Sequence, residues 1–190
     1  MSAALPPALA RPAAATSSVT RRARLVAATR DAITVLPPLV AASALAIAWL
    51  LARSAWGRDD VRDLDSAIAL AIVATVPPAW LARIALSLVT SHATPGQRAL
   101  GLHIEVTRAQ TARTSLTMAL RLALHPFGAV GWAWLAGVLV LASAFEAALL
   151  LAVVAVVVAV AGIVSLAIIL VTPDGRALHD RIAGTRLVRS

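Results

Sequence analysis

The sequence predicts an all-α membrane protein, a four-transmembrane-helix bundle with small cytoplasmic α/β segments, and three observations carry the prediction. Hydrophobic residues make up 60% of the 190-residue chain and charged residues 14%, with a mean hydropathy of +0.86, which is more apolar surface than a water-soluble core of this size can bury. The apolar residues gather into stretches of the roughly 20 residues that cross about 30 Å of hydrocarbon at about 1.5 Å per residue. The arginines stand between those stretches and favour one side.

The formal net charge of +8 and the pI near 11.8 would ordinarily raise nucleic-acid binding. All 17 basic residues are Arg, however, and they punctuate the apolar runs instead of forming one basic face, so no nucleic-acid partner is expected. The chain has no Cys, which excludes disulfides, thiolate chemistry and cysteine metal sites.

Residues 1–20 are rich in Ala, Pro, Ser and Thr without periodicity and read as a disordered tail ahead of a membrane domain over 21–189. Arg21-Arg22 resembles an export signal, but Arg24, Arg30 and Asp31 interrupt the uncharged stretch such a signal needs. The pair therefore reads as a positive cytoplasmic flank. Helix one is expected over about 32–52 and helix two over about 66–89, the latter with Pro77-Pro78 in its middle and Arg83 near its end. Beyond Pro126 the apolar region is too long for one crossing. It is expected to form helices over about 127–145 and 147–171, with a turn near Ser143 to Ala147 that carries Glu146.

Orientation follows from the arginines. Arg11, Arg21, Arg22, Arg24 and Arg30 precede helix one, Arg98, Arg108, Arg113 and Arg121 lie between helices two and three, and Arg176, Arg181, Arg186 and Arg189 follow helix four. The loop between helices one and two holds Arg53, Arg58 and Arg62 with four aspartates. Both termini are thus expected in the cytoplasm, of a bacterium, with the inner membrane as the location.

Two polar segments are more than connectors. Leu102, Ile104 and Val106 alternate with His103, Glu105 and Thr107, the period of a half-buried strand, and Thr185 to Arg189 forms a second strand expected to pair with it. Arg113, Thr117, Arg121 and His125 fall four apart opposite Leu116, Leu120 and Ala123, an amphipathic helix that either lies at headgroup level or begins helix three. The tail reads as a Pro173-Asp174-Gly175 turn, a short helix over Arg176–Ala183 and Gly184 as its stop. Thr94-Pro95-x-x-Arg98-Ala99-Leu100 and Thr172-Pro173-x-x-Arg176-Ala177-Leu178 share a spacing, which reads either as a tandem repeat of two-helix units or as coincidence among abundant Ala and Leu.

Thr94-Pro95-Gly96-Gln97-Arg98-Ala99-Leu100-Gly101-Leu102-His103-Ile104 and Leu178-His179-Asp180-Arg181-Ile182-Ala183-Gly184-Thr185-Arg186-Leu187-Val188 resemble the RDD family of bacterial membrane proteins, named for one arginine and two aspartates. The literal Arg58-Asp59-Asp60 is coincidental. The resemblance, over about residues 22–189, assigns the signature to Arg24, Asp31 and Asp180. Gln97 stands where the family usually has Lys, and Arg30 where it has an apolar residue. The resemblance implies a membrane protein for which transport is the usual suggestion, and no enzyme.

An ionisable group in a membrane helix costs several kcal/mol and is a functional candidate by default. Arg30 is expected to draw Asp31 to the membrane edge, where the carboxylate either pairs with Arg24 or couples to protons or cations. Arg83 is expected to snorkel. Pro77 and Pro78 free carbonyls that either hold cations or bond to Ser and Thr neighbours. His179 and Asp180 are adjacent and expected to point apart, with Asp180 pairing to Arg98 or Arg24. His92, His103 and His125 lack ligand spacing, so neither a metal nor another cofactor is expected, and no catalytic motif is found. The expected partners are the lipid bilayer and further copies of the chain, with no protein partner specified. Two functions fit: transport of a small solute or ion, and an accessory or scaffold role binding a partner or anionic lipid through the basic cytoplasmic face.

Overall fold

The computed structural model describes residues 19–106, 114–172 and 176–189. The readings made for the tail before Val19, for Thr107, Arg108 and Arg113, and for the Pro173-Asp174-Gly175 turn lie outside the described residues. So does the decisive part of the second repeat segment.

The first helical path starts at Arg21, well ahead of the expected residue 32, because Thr20 caps it by accepting the Ala23 N–H at 3.3 Å. Helix α1 (Arg21–Ile33) gives way at Thr34-Val35 to α2 (Leu36–Arg53), and α3 (Asp63–Ala74) gives way at Thr75 to α4 (Val76–Ser91). Both breaks have one cause. Pro37-Pro38 and Pro77-Pro78 occupy the first turns of α2 and α4, where a missing N–H is harmless to the new helix but ends the ladder of the preceding one.

The carbonyls freed at these breaks find indoles. Trp134 Nε1 donates to Ala74 O at 2.6 Å, and Thr75 Oγ1 donates to Ile72 O at 2.7 Å. Trp80 Nε1 donates to Asp31 O at 3.2 Å and to Thr34 Oγ1 at 3.0 Å. Of the two fates expected for the carbonyls around Pro77-Pro78, satisfaction by neighbouring side chains is the one observed, with tryptophan taking a part expected of Ser and Thr.

After α4 come the single turn α5 (Pro95–Arg98), strand β1 (Leu102–Val106) and α6 (Thr114–Leu124). Helix α7 (Pro126–Leu141) meets α6 at an 80° bend, and α8 (Phe145–Val171) returns antiparallel to it through a turn in which Ser143 adopts φ +60°. The short α9 (Leu178–Ala183) stops at Gly184, whose φ of +65° favours glycine, and leads to β2 (Thr185–Arg189). The paths Arg21–Arg53 and Asp63–Ser91 and helix α8 are each long and apolar enough to cross a membrane, and the bent pair α6–α7 makes a fourth if it counts as one span.

The expected strand pairing is present. β1 and β2 run antiparallel, with Ile104 opposite Leu187 and Glu105 opposite Arg186, the latter joined by an exposed ion pair at 2.7 Å. The packed core, Ala27, Trp80, Ile84, Leu88, Leu102, Ile104, Met118 and Leu187, lies where the sheet meets the helices. Arg21 Nη2 donates to Thr172 O at 3.2 Å, so the start of α1 and the exit of α8 share this sheet end of the molecule. The opposite, loop end holds residues 54–62 and the α7–α8 turn, with Arg53 Nε bonded to the buried Asp65 at 2.9 Å.

Candidate functional site

The three signature residues converge at the sheet end. Arg24, Asp31 and Asp180 line one polar cavity of about 70 Å³ together with Arg121, His125 and His179. Four pieces of chain place these six: α1 brings Arg24 and Asp31 two turns apart, α6 brings Arg121, the α6–α7 bend brings His125, and α9 brings His179 and Asp180.

Asp31 is 2% exposed. Its Oδ1 accepts the Gly96 N–H at 2.7 Å and its Oδ2 accepts the Thr94 hydroxyl. Thr94 and Gln97 form a capping box on α5, so the Thr94-Pro95-Gly96-Gln97 turn is docked against α1 through the carboxylate. Glycine is required at 96 because an added Cβ would stand 2.3 Å from Ala27 O. Asp31 is therefore buried within the protein, since its donors come from a turn that covers it, and of the two alternatives for its carboxylate the ion pair with Arg24 is not the one observed.

Arg24 turns to Asp180 instead, with Nη1 3.4 Å from Oδ2. The stronger partner is Arg121, whose Nε and Nη2 both lie 2.8 Å from Oδ1. Thr185 Oγ1 donates to the same oxygen at 3.3 Å. Burial pushes the Asp180 carboxyl up, but Arg121 and Arg24, with the Thr185 hydroxyl, overcome it and hold the group below the usual carboxylate range. His179 and Asp180 do not point apart as expected, because the tight turn of α9 brings His179 Nε2 to 3.7 Å from Asp180 Oδ1. Burial lowers the His179 pKa to about 4, against the opposing pull of Asp180, so the ring is neutral at pH 7. Ser165 Oγ accepts the Leu178 N–H at 2.9 Å and lies 3.5 Å from His179 Nδ1.

Arg121, His125, Thr94, Gly96 and Ser165 are site residues that sequence reasoning passed over. The signal existed: Arg121 and His125 belong to the stripe identified on α6, but that stripe faces inward, and Leu116 and Leu120 on the opposite side are the exposed residues. Arg83, Arg98, Pro77 and Pro78 do not join the cavity. Arg83 is exposed on α4, where its charge still reaches Asp31. Arg98 is exposed at the end of α5, and the prolines sit at the α3–α4 break.

Among the described residues no group of three or more His, Asp or Glu side chains could hold a metal ion. The RDD family model matches residues 17–184. The chain belongs to the RDD family. No curated protein and no solved structure matches it. RDD membership and the apolar helices together point to a membrane protein. The RDD match ends at Gly184, short of the expected 189, so β2, which supplies Thr185 to the cluster, lies just beyond it.

Proposed function

We propose that this RDD protein spans the bacterial inner membrane four times, with both termini cytoplasmic, and moves a small solute or ion by way of the cavity at Asp31. One observation carries the reading. Asp31 is a buried carboxylate on a cavity, held by two neutral donors and without an ion-pair partner among the described residues. A carboxylate so placed in an apolar matrix can take up and release a proton or a cation, whereas Asp180, locked by two arginines, cannot do so cheaply.

The test is flux in proteoliposomes. Dissipation of a proton, sodium or potassium gradient is expected from the wild type and is expected to be lost in Asp31→Asn, which keeps the shape and an acceptor for Gly96. Absence of flux for all three gradients, with Asp31→Asn matching wild type, would sink transport.

The exposed Arg21, Arg22, Arg98, Arg181 and Arg189 around the sheet end favour one second reading, an accessory protein whose basic cytoplasmic face binds a partner or anionic lipid. Arg98→Gln with Arg189→Gln is then expected to release the bound partner while leaving ion flux untouched.

A further inference from the structure

What can bind at Asp31 depends on how its oxygens and their neighbours are already used. Oδ1 accepts the Gly96 N–H and Oδ2 accepts the Thr94 hydroxyl. Thr94 Oγ1 in turn accepts the Gln97 N–H at 3.2 Å, and Gln97 Oε1 accepts the Thr94 N–H at 3.0 Å. The Asp31 carbonyl, freed where α1 breaks, accepts the Trp80 indole at 3.2 Å and the Thr34 hydroxyl at 2.6 Å. Each of these oxygens has a donor pointed at it. An alkali cation that leaves water needs a shell of oxygens in place of its hydration. Here only single lone pairs are left, on oxygens that already face N–H and O–H dipoles, and the Arg24 and Arg121 guanidinium groups line the same cavity. Its volume of about 70 Å³ admits a few waters but not a cation inside a full hydration shell.

A proton needs one lone pair only, and two side chains offer it a route. Thr94 lines the cavity as well as donating to Asp31, and a hydroxyl can accept on one side while it donates on the other. His125 lines the cavity too. Its Nδ1 accepts the Phe127 N–H at 3.2 Å, which leaves the ring proton on Nε2, and no described residue accepts a hydrogen bond from it. A polar cavity beside such a donor is where ordered water belongs. The surrounding charges suit reversible uptake. Arg83 of α4 acts on Asp31, and on the cavity Arg24 and Arg121 stand against Asp31 and Asp180, with His125 and His179 beside them. The four charges on the cavity balance while Asp31 is ionised, and a bound proton leaves one positive charge over, which favours its release.

We propose that the ion carried at Asp31 is a proton, passed between water in the cavity and the carboxylate through the Thr94 hydroxyl. On uptake an O–H bond of a hydronium ion breaks as one forms on Thr94 Oγ1, while the hydrogen that Thr94 already donates passes to Asp31 Oδ2. Release is the reverse. The inference rests on the transport reading above and narrows its ion to one.

The full chain in proteoliposomes loaded with a pH-sensitive dye is to be given an inside-negative potassium diffusion potential, with uptake of radioactive sodium and rubidium followed in parallel. The lumen is expected to acidify while sodium and rubidium uptake stays at the level of protein-free liposomes. Asp31→Asn is expected to abolish the acidification. Thr94→Asn still caps α5 but cannot hand a proton on, and it is expected to slow acidification about tenfold, the worth of one hydrogen bond, at an unchanged melting temperature. Thr94→Ser, which keeps a hydroxyl, is expected to retain the wild-type rate. Sodium or rubidium uptake that Asp31→Asn abolishes overturns the proposal, and so does acidification that Asp31→Asn or Thr94→Asn leaves unchanged. Movement of none of the three ions overturns the transport reading and the proposal with it. Ion selectivity is read on the wild type, so that failure is distinguishable from the others and does not depend on how a variant folds.

Discussion

Asp180 is the residue on which most of the buried polar cluster depends. Its side chain is 1% exposed and holds Arg121 and Arg24, at 5% and 9% exposure, in an apolar surround. Asp180→Asn removes the negative charge that two buried guanidinium groups share, so a loss of about 3–5 kcal/mol is expected in thermal unfolding of the detergent-solubilised protein. A wild-type melting temperature in Asp180→Asn would mean that water reaches the arginines. The pH response follows from the same residues. His179 binds its proton more weakly in the folded protein, near pH 4, than in the unfolded chain, near 6.5, so the stability it contributes is complete above about pH 6.5 and is lost as pH falls toward 4. Asp180, also lowered, adds a loss of the same sign below the ordinary carboxylate range. Melting temperature is expected to fall as pH drops from 6.5 to 4, with a shallower slope in His179→Gln, and an unchanged slope would show that His179 is not the titrating group. Of this site, the arginine and two aspartates were legible through family resemblance. Arg121 was legible only as a stripe, because whether a polar stripe faces water or a buried carboxylate depends on what a distant segment, here α9, places against it.

At the scale of elements the boundaries went astray at the prolines. Long apolar runs identify helices but are silent on where a ladder breaks, and α1 extends into the arginine-rich flank because charged residues at a capped helix start cost little once side chains can reach water or a partner. Period-two alternation found β1 and the Gly184 stop marked the start of β2, and the two pair as expected because side by side they lay Leu102, Ile104 and Leu187 against the helices in one core. The unpredicted feature is the use of tryptophan to mend the breaks. Trp134→Phe deprives Ala74 O of its donor at 2.6 Å and is expected to cost about 1–3 kcal/mol. Residue 78 stands four places after Ala74, so Pro78→Ala restores an N–H in register with that carbonyl. The double variant is expected to recover part of the loss, measured as a coupling in a mutant cycle. Strict additivity would mean that the Ala74 carbonyl is satisfied by some other route.

For the whole molecule the question is how many times the chain crosses, and α7 decides it. Its 16 residues cover only about 24 Å, short of a bilayer core, whereas the 27 residues of α8 cover about 40 Å. A short helix after an 80° bend could be re-entrant, returning to the side it left. The packing argues otherwise. Arg21 ties the exit of α8 to the start of α1, Asp31 ties α5 to the same end, and α7 and α8 run antiparallel along each other, so α7 must carry the chain from the sheet end to the loop end. In the four-crossing arrangement proposed above, the polar cluster would meet its shortness by letting the His125 end of α7 sit below the headgroups. Because the chain contains no cysteine, single substitutions report position without background. Asp60→Cys and Glu146→Cys, both exposed at the loop end, are expected to react with a membrane-impermeant maleimide added outside intact spheroplasts, and Ala99→Cys only after permeabilisation. Labelling of Glu146→Cys from the cytoplasmic side alone would make α7 re-entrant, and it would also break the shared end at which Arg24, Asp31 and Asp180 meet.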